Sequence, residues 1–306
     1  MDTETNEYAK VLIGEDRAAA TLAAARAGIV DCIKASAPRS EKATYRVMQY
    51  NILRDGDHWG WEYITVPGTT CDRRVELICA AVEGYHPDLL GLCERFDGWN
   101  DLADIENRLA AYGYAFAESP LPEAMYVTYP TKHDDRHFNR CPLVYDTNVF
   151  EVVKSDVIDI QAFPSINYRV VTSVLLRDKR TGQEIAAFVT HWESGQIVKD
   201  GQVIKNYSEC RVLNAERMNQ AIDCFLAGRA KVPAVAMGDF NSHLESKEFQ
   251  TLLSGSGMTD GLGIPGVIDH IACRNCRVIA SGRDTAPYTG YASDHKPIYC
   301  DIQIGG

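Results

Sequence analysis

Five small or apolar residues, Pro233 to Met237, run straight into Gly238-Asp239-Phe240-Asn241-Ser242. A short apolar run bounded by turn residues predicts a buried strand. Such a strand delivers Asp239 and Asn241 to its carboxyl end, the side on which α/β sheets bind ligands. With Phe240 between them, the two-residue period of a strand turns both oxygen-bearing side chains to one face and the ring to the other. A carboxylate beside an amide, both fixed by buried backbone, suits a hard divalent cation and the water it activates. Gly, Asp, Asn and Ser are also ordinary turn residues, so this stretch alone fits a plain strand-to-turn junction as well.

The same pattern recurs along the chain. Tyr45 to Leu53 is β-favouring and carries Asn51 at its end. Val75, Ile78, Cys79 and Val82 then mark one face of a helix over Cys71 to Tyr85. Asp88 to Glu94 follows as an apolar strand ending in a carboxylate. The βαβ arrangement predicts that Asn51 and Glu94 come to lie side by side. Further strands are expected at Tyr114 to Glu118, Leu143 to Asp146, Phe150 to Val153, Tyr168 to Arg177 and Glu184 to Thr190, the last ending at His191. Helices are expected over Asn100 to Tyr112 and residues 209–227, and a short one after Ser246. Val267 to Ile271 reads as a strand with Asp269 inside it, and alternation lets only one of Asp269 and His270 face a site. Asp294 and His295 sit in the turn before a final strand, Ile298 to Ile304.

Helix and strand patterns alternate through all 306 residues without a linker. That predicts an α/β fold: a domain over 44–306, with residues 1–43 as a helical extension packed on it. No apolar run reaches the ~18 residues of a membrane span. The acidic start, Met1 to Glu7, has no secretory signal, so a cytoplasmic location is expected. A net charge of -11 weighs against strong binding to long nucleic acid but not against a site for one or two phosphates. The ten cysteines do not make a disulfide scaffold, and Cys79, Cys93, Cys224 and Cys300 read as buried, reduced thiols. Cys273 and Cys276 form a C-x-x-C without a second pair, which reads as a hairpin bearing two incidental cysteines rather than a zinc site.

The motifs YNIL, PDLLGLCE, FVTHWES, MGDFNS, VIDHI and SDHKP stand in that order between Tyr45 and Ile304. In this the chain resembles the endonuclease/exonuclease/phosphatase superfamily, the fold of deoxyribonuclease I. The resemblance implies a four-layer α/β-β/α sandwich of two packed mixed sheets with its site at one rim. It implies Glu94 as the main ligand of Mg²⁺ (or Mn²⁺), with Asn51 and Asp294 close by. Asp239 and Asn241 would hold the attacking water, or a second metal and the phosphate, His191 and His295 would flank the phosphate, and Asp269 would orient His295. The family usually has Gln, Asn and Leu where Cys93, Val189 and Trp192 stand, so Cys93 and Trp192 are expected to reshape the pocket wall.

The implied activity is hydrolysis of a phosphoester by a monomeric enzyme, most simply a small diester or a nucleic-acid end. A DNA or RNA nuclease and an inactive phosphate-binding module are the alternatives. THWES followed by ERMNQ resembles tyrosyl-DNA phosphodiesterases, whereas GDFNS resembles deadenylases, so the motifs leave the substrate open. The polar segment 119–140 gathers His133, Arg136, His137 and Arg140 near Tyr126 and Tyr129. Arg136, His137 and Arg140 are expected to contact substrate, since a phosphate approaching an acidic protein needs local cations.

Overall fold

A computed structural model of the protein describes residues 7–8, 10–11, 19–53, 71–96, 104–117, 139–162, 169–195, 197–199, 202–286 and 292–305. In chain order the first elements are α1 (Ala19–Ser36), β1 (Tyr45–Asn51), α2 (Cys71–Tyr85), β2 (Leu89–Cys93), β3 (Arg95–Phe96), α3 (Asp104–Ala110) and β4 (Tyr114–Ala117). Then come β5 (Asn139–Arg140), β6 (Leu143–Asp146), β7 (Phe150–Asp159), β8 (Val170–Asp178), β9 (Glu184–His191), β10 (Ile197–Lys199) and β11 (Gln202–Lys205). The last are α4 (Tyr207–Phe225), β12 (Ala234–Asp239), α5 (Lys247–Ser256), β13 (Thr259–Asp260), β14 (Asp269–Arg274), β15 (Arg277–Arg283) and β16 (Ile298–Gln303).

Two six-stranded mixed sheets form, ordered β15-β16-β1-β2-β6-β4 and β13-β14-β12-β9-β8-β7. Each has one parallel pair at its centre, β1 with β2 and β12 with β9. These central strands are buried on both faces; β2 and β12 read as continuous apolar runs for that reason, whereas β1 also buries Arg46, Gln49 and Asn51. Val47, Leu89 and Leu143 of the first sheet meet Val189, Val235, Met237 and Ile271 of the second in a core between the sheets. The outer face of the first sheet, with Met48, Tyr50 and Leu92, is covered by Ile29, Ile33, Val75, Ile78 and Leu109 of α1, α2 and α3. The outer face of the second, with Phe188, Ala236 and Ala272, is covered by Met218, Ile222, Phe249 and Leu252 of α4 and α5. The result is the expected four-layer sandwich. At Gly91 the sheets approach so closely that a Cβ would stand 2.6 Å from Met237 Cγ.

One buried guanidinium, Arg46, ties the first sheet to itself and to its helices. Arg46 of β1 grips Asp301 of β16 with two hydrogen bonds, Nε to Oδ1 at 2.6 Å and Nη2 to Oδ2 at 3.0 Å. Its Nη1 donates to the carbonyls of Ala37, just past α1, and Tyr85, the last residue of α2.

Several elements differ from expectation. β7 runs ten residues rather than four and pairs with β8 along its whole length. As an exposed edge strand it needs no apolar alternation, so its sequence gave no sign of the extension. The polar stretch after His191 holds the β10–β11 ladder, and α4 then starts on a capping box of Asn206 and Glu209. Asp269 is the first residue of β14, not an interior one. Cys224 is exposed, because its place on α4 falls outside the stripe of Met218, Ile222 and Phe225. Arg136 and His137 lie outside the described residues, as do His133, Tyr126 and Tyr129. The Arg140 backbone pairs with Arg95 in β5, while its side chain lies outside the description. Among the described residues no helix is long and apolar enough to cross a membrane.

Candidate metal and phosphate site

Three neighbouring strands of the second sheet bring three side chains onto one rung. Asp239 ends β12 and is the register partner of His191, which ends parallel β9, and of Asp269, which starts antiparallel β14. The rung depends on Gly238, where a Cβ would lie 2.0 Å from the Thr190 carbonyl oxygen of β9. His191 Nε2 stands 3.4 Å from Asp239 Oδ2. His295, reaching in from the turn before β16, donates from Nδ1 to Asp269 Oδ2 at 2.7 Å and places Nε2 3.6 Å from Asp239 Oδ2. Strand alternation settles the choice at β14: Asp269 faces this cluster, and His270 faces α5, stacked on Phe249.

The first sheet supplies the opposite wall. Asn51 closes β1 and pairs with Cys93, the last residue of β2, so Glu94 follows immediately beside it. Glu94 adopts a left-handed backbone, φ 63°, which bends the chain sharply away from the strand direction. The Asn51 amide nitrogen donates to Glu94 Oε1 and to Asp239 Oδ2, both at 3.1 Å, and so joins the two sheets. Its Oδ1 accepts from the Leu53 N–H at 3.0 Å. Ser293 Oγ donates to the Asn51 carbonyl at 2.7 Å and accepts from the His295 N–H at 3.1 Å, linking the β1 exit to the turn that carries His295. Arg74 of α2 fastens the same two segments, donating to the carbonyls of Ala292, Ile52 and Leu53.

Charge is crowded here. Burial, then the neighbouring Asp269 charge, pushes Asp239 up to about 7 despite the opposing His295 and the Asn241 N–H. Burial opposes the charged form of His295, but the Asp269 carboxylate, with Asp239 and Asp294 behind it, outweighs that and raises it to about 10. His295 is therefore an imidazolium at neutral pH. Glu94, His191 and Asp239 form one cluster with ligand atoms close enough to share an ion; Asp239, Asp269 and His295 lie as close together, but the protonated His295 has no lone pair for a metal. Asp269 Oδ1 is buried without a hydrogen-bond partner among the described residues. Carboxylate and imidazole donors with no thiolate, around a carboxylate whose ionisation is held back by its neighbours, fit a hard divalent cation.

Behind the rung, the loop after β12 is pinned from several sides. The Asn241 N–H donates to Asp239 Oδ1 at 2.9 Å, and its Nδ2 donates to the Trp192 carbonyl at 3.1 Å. Phe240 packs edge-on against Trp192 and Phe249 and is fully buried. Losing a ring in such a place costs about 3–5 kcal/mol. His270 Nε2 reaches the Ser242 carbonyl at 2.9 Å, and Nδ1 lies 3.3 Å from Asp260 Oδ1.

The structure thus gathers Asn51, Glu94, His191, Asp239, Asp269 and His295, with Asn241 beside them and the more exposed Asp294 next to His295. Cys93 and Trp192 do not form a pocket wall, since both are fully buried. The Cys93 thiol donates to the Thr190 carbonyl at 3.1 Å, and Trp192 fills the core under α4 and α5. Sequence reasoning missed Arg74, which bears no local signal, and Ser293, which stood in view within SDHKP but without its role as a tether.

The profile of the Endonuclease/Exonuclease/phosphatase family matches residues 48–295. No curated protein matches the chain. Among solved structures the chain is similar to the human Nocturnin catalytic domain with bound sulfate, at 22% identity over 85% of this chain and 94% of that one, TM-score 0.64. It is similar to the Bacteroides thetaiotaomicron mannosyl-6-phosphatase at 18% identity over 85% and 99%, TM-score 0.60. It is also similar to ANGEL2, a 2',3'-cyclic phosphatase, at 14% identity over 84% and 95%, TM-score 0.61. At these identities the likeness is one of fold.

Proposed function

Because the chain belongs to the Endonuclease/Exonuclease/phosphatase family, we propose that it is a divalent-metal-dependent phosphodiesterase acting on a small diester or a nucleic-acid end. Residues 44–306 are the catalytic unit in this reading, and 1–43 a helical extension packed on it. The observation that carries it is the convergence of His191, His295 and Asn51 on one carboxylate, Asp239. Glu94, with Asn51 and Asp294 at hand, would hold Mg²⁺ or Mn²⁺ in this reading. The ion supplies positive charge against the negative charge that a pentavalent phosphorus gathers.

The chain's own groups do the rest. Asp239, once ionised, takes a proton from the attacking water, which Asn241 helps to place. His295, held as a cation by Asp269, donates from Nε2 to a phosphoryl oxygen as charge builds there. His191 donates from the neighbouring strand. The closed Asp269–His295 contact fixes which ring nitrogen faces the phosphate.

The net charge of -11 disfavours a long polyanion. Two structures of similar fold come from enzymes named for a sugar 6-phosphate and for a 2',3'-cyclic phosphate, so fold alone does not choose the ester. Arg136, His137 and Arg140 are proposed to contact the substrate beyond its phosphate. The test is release of p-nitrophenol from bis-p-nitrophenyl phosphate with Mg²⁺ or Mn²⁺, alongside p-nitrophenyl phosphate, DNA, RNA and phosphotyrosyl-DNA. Metal-dependent turnover of the diester over the monoester is expected. Faster monoester hydrolysis would overturn the diester assignment, and no turnover on any ester would make the protein a binding module.

A further inference from the structure

Three strands that end at the site leave it through left-handed backbone at residues other than glycine: Leu53 after β1 (φ 53°), Glu94 after β2 (φ 63°) and Asn241 after β12 (φ 49°). Asparagine tolerates that region, but leucine enters it rarely and at a cost. Strain of this kind persists only where the surroundings hold it. Leu53 is held from both ends. Its N–H donates to Asn51 Oδ1 at 3.0 Å, and its carbonyl accepts from Arg74 Nη2, which also reaches the Ile52 carbonyl. Arg74 Nε donates to the Ala292 carbonyl at 2.8 Å, so one side chain spans the β1 exit and the segment leading to Asp294 and His295. Arg74 is 4% exposed, and its only hydrogen bonds among the described residues go to these three carbonyls. A cation buried on neutral carbonyls alone is costly, which points to the turn it holds.

The Leu53 N–H decides how Asn51 sits. Because a donor faces Oδ1, the other end of the amide, Nδ2, faces Glu94 Oε1 and Asp239 Oδ2, each 3.1 Å away. Turned over, the amide would set Oδ1 against two carboxylate oxygens and drive Glu94 off. We propose that Arg74 is a positioning residue for Asn51: by holding Leu53 in its left-handed turn, it fixes which end of the Asn51 amide faces Glu94 and Asp239, and so keeps Glu94 in place. Lysine cannot do the same. An ammonium donates from a single point, whereas the guanidinium reaches Ala292 from Nε and the Ile52–Leu53 turn from Nη2.

The experiment compares the native full-length protein with Arg74→Lys and with the double variant Arg74→Lys/Leu53→Gly. It reads the Asn51 side-chain NH₂ resonances of metal-free, ¹⁵N-labelled protein, assigned by their loss in Asn51→Ala, and Mn²⁺ affinity by calorimetry. Arg74→Lys should move the resonances and weaken Mn²⁺ binding on the order of tenfold, the lower end for a lost support behind a metal ligand. Glycine enters the left-handed region freely, so adding Leu53→Gly should return both readouts part of the way. A residue needed only for folding would gain nothing from that second change. If Arg74→Lys does not fold, Leu53→Val puts the same question with Arg74 in place, since a β-branched residue resists this backbone, and both readouts should again shift. Unmoved Asn51 resonances in the folded variant would overturn the proposal, as would unchanged Mn²⁺ affinity or a double variant no better than Arg74→Lys. The Mn²⁺ arm rests on the reading of Glu94 as a metal ligand. A native protein that binds no Mn²⁺ would overturn that reading, and the resonances alone would then decide the role of Arg74.

Discussion

The second sheet presents His191, Asp239 and Asp269 as neighbours on one rung, whereas the first presents Asn51 and Glu94 around a bend and meets the rung through the Asn51 amide. On the rung, backbone ladders set the spacing. Side chains one strand apart cannot retreat from each other: burial, then the Asp269 charge, raises Asp239, and Asp269 also raises His295, which reaches the rung from the turn before β16. On the other wall Glu94 stands past the strand end, half-buried, where a short movement can adjust an oxygen to an ion. In the proposed reaction the rung places protons and charge, and Glu94 on the other wall holds the metal. Changes on the two walls should fail differently.

The largest effect is expected from Glu94→Ala. Activity should fall to background while circular dichroism stays native, because no core packing is lost. Any turnover by the native enzyme in excess EDTA would show that this wall does not serve a metal. Next is His295→Ala, which should slow the reaction by roughly 10²- to 10⁴-fold, the range for a lost proton or oxyanion donor. With metal saturating, the rate should hold on the alkaline side beyond the ordinary imidazole range, because the Asp269 carboxylate holds the His295 proton. Asp269→Asn should move that limb to lower pH, and an unmoved limb would remove Asp269 from the role of orienting it.

A smaller effect concerns stability without metal. Asp239 is raised, so the folded state holds its proton longer than the unfolded chain, and stability falls as pH climbs from the ordinary carboxylate range to about 7. His295 is also raised, so its contribution is complete below its ordinary value and is lost on the way to about 10. Both slopes run downward with rising pH. Mg²⁺ should flatten the first of them in thermal melts, and a melting temperature that rises from pH 5 to 7 without metal would contradict the crowded rung. The smallest loss of rate is expected from His270→Ala, about tenfold or less in kcat, with a stability cost of about 1–3 kcal/mol for the unpaired Ser242 carbonyl and Asp260 carboxylate. A defect equal to that of His295→Ala would erase the distinction between the faces of β14.

The side chains of the site were legible because each closes an apolar run or stands in the turn beside one. Adjacency was legible where the connection is local, as between Asn51 and Glu94 across a single helix. The rung itself was not, since β9, β12 and β14 become neighbours only through tertiary pairing. Cys93 and Trp192 show the same limit from the other side. Each stands next to a site residue in sequence, and strand or loop geometry turns it inward instead. The length of β7 escaped notice because solvent, not a core, faces much of it.

The pairing of β1 with β16 sets an order of events during synthesis. Among the described strands β1 is made first and must wait for β16, made last, to become its neighbour. Until then Arg46 has no Asp301, and a buried cation without its partner costs about 3–5 kcal/mol. Asn51 likewise lacks the Ser293 tether, and Asp269 has no His295. A nascent chain therefore lacks the partners of Arg46, Asn51 and Asp269 until β16 and the turn before it have been made.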